Sequence, residues 1–90
     1  MKYKNFTIIT FTSNNIQKCN KRYNGFNCSI YSNYDEKCIT PLDCFDIAID
    51  YDIEGKDYNE IILFIHSYID SNYSELIALE NSYFVNDTLS

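Results

Sequence analysis

Residues 44–53 alternate without a break, with Phe45, Ile47, Ile49, Tyr51 and Ile53 on one side and Cys44, Asp46, Ala48, Asp50 and Asp52 on the other. A period of two predicts a strand with one face in the core and one in water. Residues 3–12, dense in β-branched and aromatic types, predict an earlier strand, and residues 26–32 another. Past residue 57 the period changes. Tyr58, Ile61, Ile62, Ile65 and Ile69 share one helical stripe, with Asn59, Glu60, Ser67, Asp70 and Ser71 opposite. Asp57 can cap this helix while Glu60 reaches back, as in a capping box. Leu63 and Phe64 flank the polar face and widen the apolar arc, so a second helix or a partner should cover them.

Ser74 can cap a further helix through about residue 83, with Leu76, Ile77, Leu79 and Glu80 at suitable spacing. Residues 86–90 are expected to fray. Residues 14–24 also fit a short helix. Asn14 or Asn15 caps it, Ile16, Cys19, Asn20 and Tyr23 recur at helical spacing, and Lys21 and Arg22 suit the last turn before Gly25. The competing reading makes Asn24-Gly25 a hairpin turn between residues 16–23 and 26–33. Residues 33–43 read as a loop around Pro41, the only proline. The predicted order is β-α-β-β-α-α. It implies one α+β domain over residues 1–90, with an antiparallel or mixed sheet of about three strands and two or three helices packed on one side.

Composition supports a folded chain, since thirteen Ile, nine Tyr and six Phe stand against two Gly and one Pro. The longest apolar run, residues 61–65, is too short to cross a membrane, and the N-terminal segment is too short and Thr-rich for a signal core. A cytoplasmic location is the expectation. Charge divides the chain sharply. Residues 1–34 hold Lys2, Lys4, Lys18, Lys21 and Arg22 and no acid, whereas residues 35–90 hold all thirteen acids against Lys37 and Lys56. The net charge of −6 repels nucleic acid and anionic lipid and favours basic partners. Lys18, Lys21 and Arg22 form the one candidate basic contact.

Cys19, Cys28, Cys38 and Cys44 contain no close pair of the kind that supplies two zinc ligands from one turn, and His66 is the only histidine. No metal and no cofactor is expected. Reduced thiols fit best. Two disulfides fit a secreted module, which sequons at Asn5, Asn27, Asn72 and Asn86 nominally support. No phosphate loop, nucleophile elbow or metalloprotease motif is present, and His66 reads as a core-margin residue rather than a base. Asp50 and Asp52 would lie about 6.7 Å apart on an extended strand, but a solvated pair on so small a chain lacks an apolar cleft to tune it. An enzyme is not expected.

The acidic face is the constellation that suggests a job. Asp46, Asp50 and Asp52 would line the outer strand face, and Glu54, Asp57 and Glu60 would continue the charge into the helix. Regularly spaced carboxylates can imitate a nucleic-acid backbone and compete for the Lys/Arg channel of a nucleic-acid-binding protein. Solvated strand faces also carry Asp merely for solubility, yet Asp is a poor strand former. In general character (tiny, acidic, rich in Tyr and Asn) the chain resembles the inhibitors phages use against host defence, anti-CRISPR proteins among them. The expectation is therefore a cytoplasmic inhibitor of a basic nucleic-acid-handling protein, monomeric or homodimeric. The alternatives are the secreted disulfide-stapled virulence or immune-evasion module, and an oligomeric structural or regulatory protein burying Leu63 and Phe64 between subunits.

Overall fold

The structure, a computed structural model, describes residues 1–85 and is α+β. Four antiparallel strands in the order β1-β2-β3-β4 form the sheet: β1 (Lys2–Tyr3), β2 (Phe6–Lys18), β3 (Lys21–Ser32) and β4 (Asp43–Ala48). Helices α1 (Tyr58–Ser71) and α2 (Tyr73–Glu80) follow, and α2 runs on into a π-helical turn, Asn81–Val85. The sheet has four strands where about three were expected, the extra one being the two-residue β1. The expected fraying of residues 86–90 and the Asn86 sequon lie outside the described residues.

The largest correction concerns residues 14–24, which are not helical. They belong to a long hairpin, β2 and β3, that turns at Cys19-Asn20. Both turn residues have positive φ, 49° and 65°, the backbone of a two-residue turn whose twist matches that of paired strands. Asn-Gly at 24–25 is not the turn either; it lies inside β3. Lys21, Arg22 and Gly25 imitate a helix end only because nothing local distinguishes them from hairpin residues. Ile16, opposite Tyr23, is 1% exposed. Asn14 and Asn15 form a bulge, where the register shifts between Ser13 and Ile16. Gly25 pairs with both Ser13 and Ala48. A Cβ there would lie 1.9 Å from the Ile47 carbonyl oxygen, so only glycine lets β4 approach β3 so closely.

The strand predicted over 44–53 also stops early, at Ala48. Asp52 closes a loop on that residue. Its Oδ2 accepts from the Ala48 N–H at 2.8 Å, and its own N–H donates to the Ala48 carbonyl at 2.9 Å. Asp50 takes a φ of 68° and the chain turns away. A side chain offering the backbone an alternative acceptor ends the ladder.

One sheet face carries Phe6, Ile8, Cys28, Ile30 and Ile47, all nearly inaccessible, against Ile61, Ile65 and Ile69 of α1 and Leu76 of α2. Each such isoleucine contributes about 1.5–3 kcal/mol of transfer free energy. Tyr58 departs from the expected stripe and is 69% exposed. Phe64 is half-buried, its ring 6.3 Å from that of Phe45, whereas Leu63 is 63% exposed. Asp57 caps α1 by accepting from the Asn59 N–H at 2.9 Å. Asn72, rather than Ser74, stands at the N-terminus of α2.

Polar pins fasten the layers. Tyr68 donates to Asp43 at 2.6 Å while its ring stacks on Phe45 at 4.0 Å. Lys4 reaches Asp70 at 2.7 Å and lies over the Tyr73 ring, and Tyr3 donates to the same carboxylate at 2.9 Å. The Lys4 ammonium and the Tyr3 hydroxyl hold the Asp70 carboxyl below its ordinary range. His66 stacks on Tyr3 at 3.8 Å, in keeping with a core-margin role. Ser32 and Glu80 are the buried polar side chains among the described residues, and the Ser32 hydroxyl donates to Glu80 at 2.6 Å.

Candidate functional site

The carboxylates singled out in the sequence do not form a row on one strand face. Pairing of β4 with β3 places Asp46 opposite Asn27 on the outer face, where it is the only acid of β4 and accepts from the Asn27 amide at 2.7 Å. Asp50, Asp52 and Glu54 belong to the connection after β4. The extended spacing expected for Asp50 and Asp52 does not exist there.

The connection gathers them differently. Asp50, Asp52, Glu54 and Glu60 line one open groove of about 640 Å³, with Tyr51, Ile53 and Phe64. Its walls are built by the carboxylates themselves. Glu60 reaches back from α1 to accept from the Glu54 N–H at 3.1 Å, a longer reach than the capping box expected of it. Asp50 accepts from the Gly55 N–H at 3.3 Å, and Gly55 takes the positive φ, 67°, that such a turn needs. Asp57 stands outside the groove at the head of α1. Asp50, Asp52, Glu60 and Asp57 each spend one oxygen on the backbone and have a second to offer, and Glu54 adds its carboxylate to the groove.

The basic residues occupy the far end of the hairpin. Lys18 and Lys21 are directly opposed beside the Cys19-Asn20 turn, and Arg22 is exposed next to them. The arm also touches the groove wall. Lys18 Nζ lies 3.6 Å from Asp52 Oδ2, Cys19 Sγ lies 2.9 Å from the Tyr51 hydroxyl, and the Tyr23 and Tyr51 rings are 5.4 Å apart. The contact with Cys19 is the main cause that raises the Tyr51 phenol above its ordinary value. Lys56, by contrast, lines a separate groove of about 590 Å³ at the root of the arm with Thr12, Asn14 and Asn24.

Alternation assigns Tyr51 and Ile53 to the core, whereas both line the groove. The signal was present as Asp50, Asp52 and Gly55 within six residues, a composition typical of turns. All four cysteines are unbridged. Cys28 is buried on the core face, where burial pushes its thiol up to about 12, while Cys44 points from the opposite face and Cys19 sits at the arm's tip. Among the described residues no helix is long and apolar enough to cross a membrane. No group of three His, Cys, Asp or Glu side chains among them is placed to hold a metal ion.

No protein-family model matches the chain, and no curated protein or solved structure matches it either.

Proposed function

We propose that this protein is a small acidic binding protein that engages a basic surface of a nucleic-acid-handling partner and thereby inhibits it. The observation that carries the reading is the convergence of Asp50, Asp52, Glu54 and Glu60 on one groove with Tyr51 and Phe64. Arginine and lysine side chains combine a cationic head with an apolar stem, and a carboxylate rim around aromatic walls suits both parts. A guanidinium also pairs with carboxylates in a fork, which gives the contact direction as well as charge. The mimicry is therefore of a compact anionic cluster, not of an evenly spaced phosphate row. Overall charge of −6 speeds encounter with a basic partner and makes it salt-sensitive. Inhibition of the kind phage anti-defence proteins exert, by occupying a cationic channel, fits that charge and size.

A deca-arginine peptide titrated by fluorescence anisotropy tests the groove. Wild type should bind with an affinity that falls steeply with salt. The double variant Asp50→Asn/Glu54→Lys keeps an acceptor and a residue tolerant of positive φ at position 50, and should weaken binding roughly tenfold or more. Glu36→Lys/Glu75→Lys changes net charge at least as much but leaves the groove untouched, and should bind nearly as wild type. Equal losses in both variants would reduce the interaction to bulk charge and reject the groove.

A further inference from the structure

The sheet has an edge that nothing among the described residues covers. On that side of β2, β1 pairs only with Phe6 and Thr7, and Met1 then takes both backbone bonds of Ile8, at 2.7 and 3.1 Å. Backbone groups alternate sides along a strand. Because Ile8 points its N–H and C=O toward Met1, Thr10 and Thr12 point theirs the same way, into the open, while Ile9, Phe11 and Ser13 point toward β3. At the other end the Asn14-Asn15 bulge breaks the strand. The open template is thus residues 9–13, bounded on both sides.

Native edges of this kind are normally guarded by lysine, proline or inward charge on the edge strand. This strand supplies none of them. From Asn5 to Gln17 the chain has no charged residue, no proline and no glycine. The five open residues are centred on Phe11, whose ring is 63% exposed on the outer face of the sheet.

We propose that this edge pairs antiparallel with the same edge of a second copy, about a two-fold axis at Phe11. In that register Thr10 faces Thr12 of the second copy and Thr12 faces its Thr10, giving about four backbone hydrogen bonds. Phe11 then meets Phe11 at a non-hydrogen-bonded position, where Cα atoms approach to about 4.5 Å and side chains are closest. The ladder ends by itself, because the position opposite Ile8 is filled by Met1 and the facing strand bulges at Asn14. The occupant is a second copy because the bounded segment is self-matching about its own centre. It is also the charge-free stretch of a chain that carries −6, so the two paired segments bring no like charges of their own together, with Lys56 in the groove beside Thr12 and Ser13. So short a ladder makes a weak, concentration-dependent dimer with one continuous eight-stranded sheet.

Sedimentation equilibrium of the full chain up to about millimolar concentration tests this. Wild type should show a monomer–dimer equilibrium. Phe11→Lys, which sets two cations against each other on an exposed position, should weaken it by roughly tenfold or more with an unchanged melting temperature. Thr12→Pro, which removes an outward N–H, should do likewise. Leu63→Lys, on the exposed flank of α1, should leave association intact. A monomer at every concentration overturns the proposal, as does a dimer that survives both edge substitutions or dissolves on Leu63→Lys.

Discussion

The β2–β3 hairpin and the connection from β4 to α1 both have to satisfy backbone groups in polar stretches, and they do it in opposite ways. In the hairpin the partners are backbone. Residues 16–18 and 21–23 pair across a two-residue turn, and apart from the buried Ile16 their side chains remain available at the surface. In the connection the partners are carboxylates: Asp52 takes the Ala48 N–H, Glu60 that of Glu54, Asp50 that of Gly55 and Asp57 that of Asn59. The difference teaches that Asp50, Asp52 and Glu60 in the groove are scaffold and surface together. Removing one changes the wall as well as its charge, whereas arm residues such as Arg22 can be exchanged with little effect on the fold.

The largest effect should come from the joint between the two regions. Gly25→Ala drives a Cβ into the Ile47 carbonyl, which is backbone and cannot move aside alone, so β4 must part from the hairpin. A loss of about 3 kcal/mol or more in urea unfolding is expected. Asp52→Ala comes next. It leaves the part-buried Ala48 N–H without its acceptor and should cost about 1–2 kcal/mol, with faster amide exchange at Ala48. Asp52→Asn keeps an acceptor oxygen and loses only the ion pair to Lys18, so it should retain most of that stability. The smallest effect is a pH dependence on the β4 side. Burial, aided by the bond to Asp43, pushes the Tyr68 hydroxyl up to about 12 from an ordinary value of 10.0. The folded state holds that proton more tightly than the unfolded one. The contribution is therefore complete below the ordinary value and is lost as pH rises through the folded one. Tyr68→Phe should flatten the alkaline limb of a stability–pH curve, and an unchanged limb would show the bond to be immaterial.

Much of this fold was legible in residue order, and the failures have physical causes. The stripe Ile61, Ile65, Ile69 and the cap Asp57 identified α1 because burial and capping there act along a single element. Residues 14–24 read as a helix because a helix end and an exposed arm call for the same residues: an asparagine, two cations and a glycine. What decides between them is the Cys19-Asn20 turn and the cross-strand neighbours of Ile16, which are non-local. Alternation predicted a strand through Ile53 because it counts apolar positions and ignores that Asp52 can capture the backbone four residues earlier. Five of the predicted site residues, Asp50, Asp52, Glu54, Glu60 and Phe64, still share one groove, since sequence proximity keeps them together whatever the connection does. Asp46 and Asp57 are set apart by the same turn.

Ser32 and Glu80, forty-eight residues apart and both buried, share one hydrogen bond between the sheet and the last helix. Neither position can drift by itself. Alanine at 32 would leave the Glu80 carboxyl without its donor and the Tyr34 N–H without its acceptor, and leucine at 80 would leave the Ser32 hydroxyl facing an apolar side chain. In a lineage of this chain the two sites should change as a unit, so the closure of the last helix onto the sheet is inherited as one character.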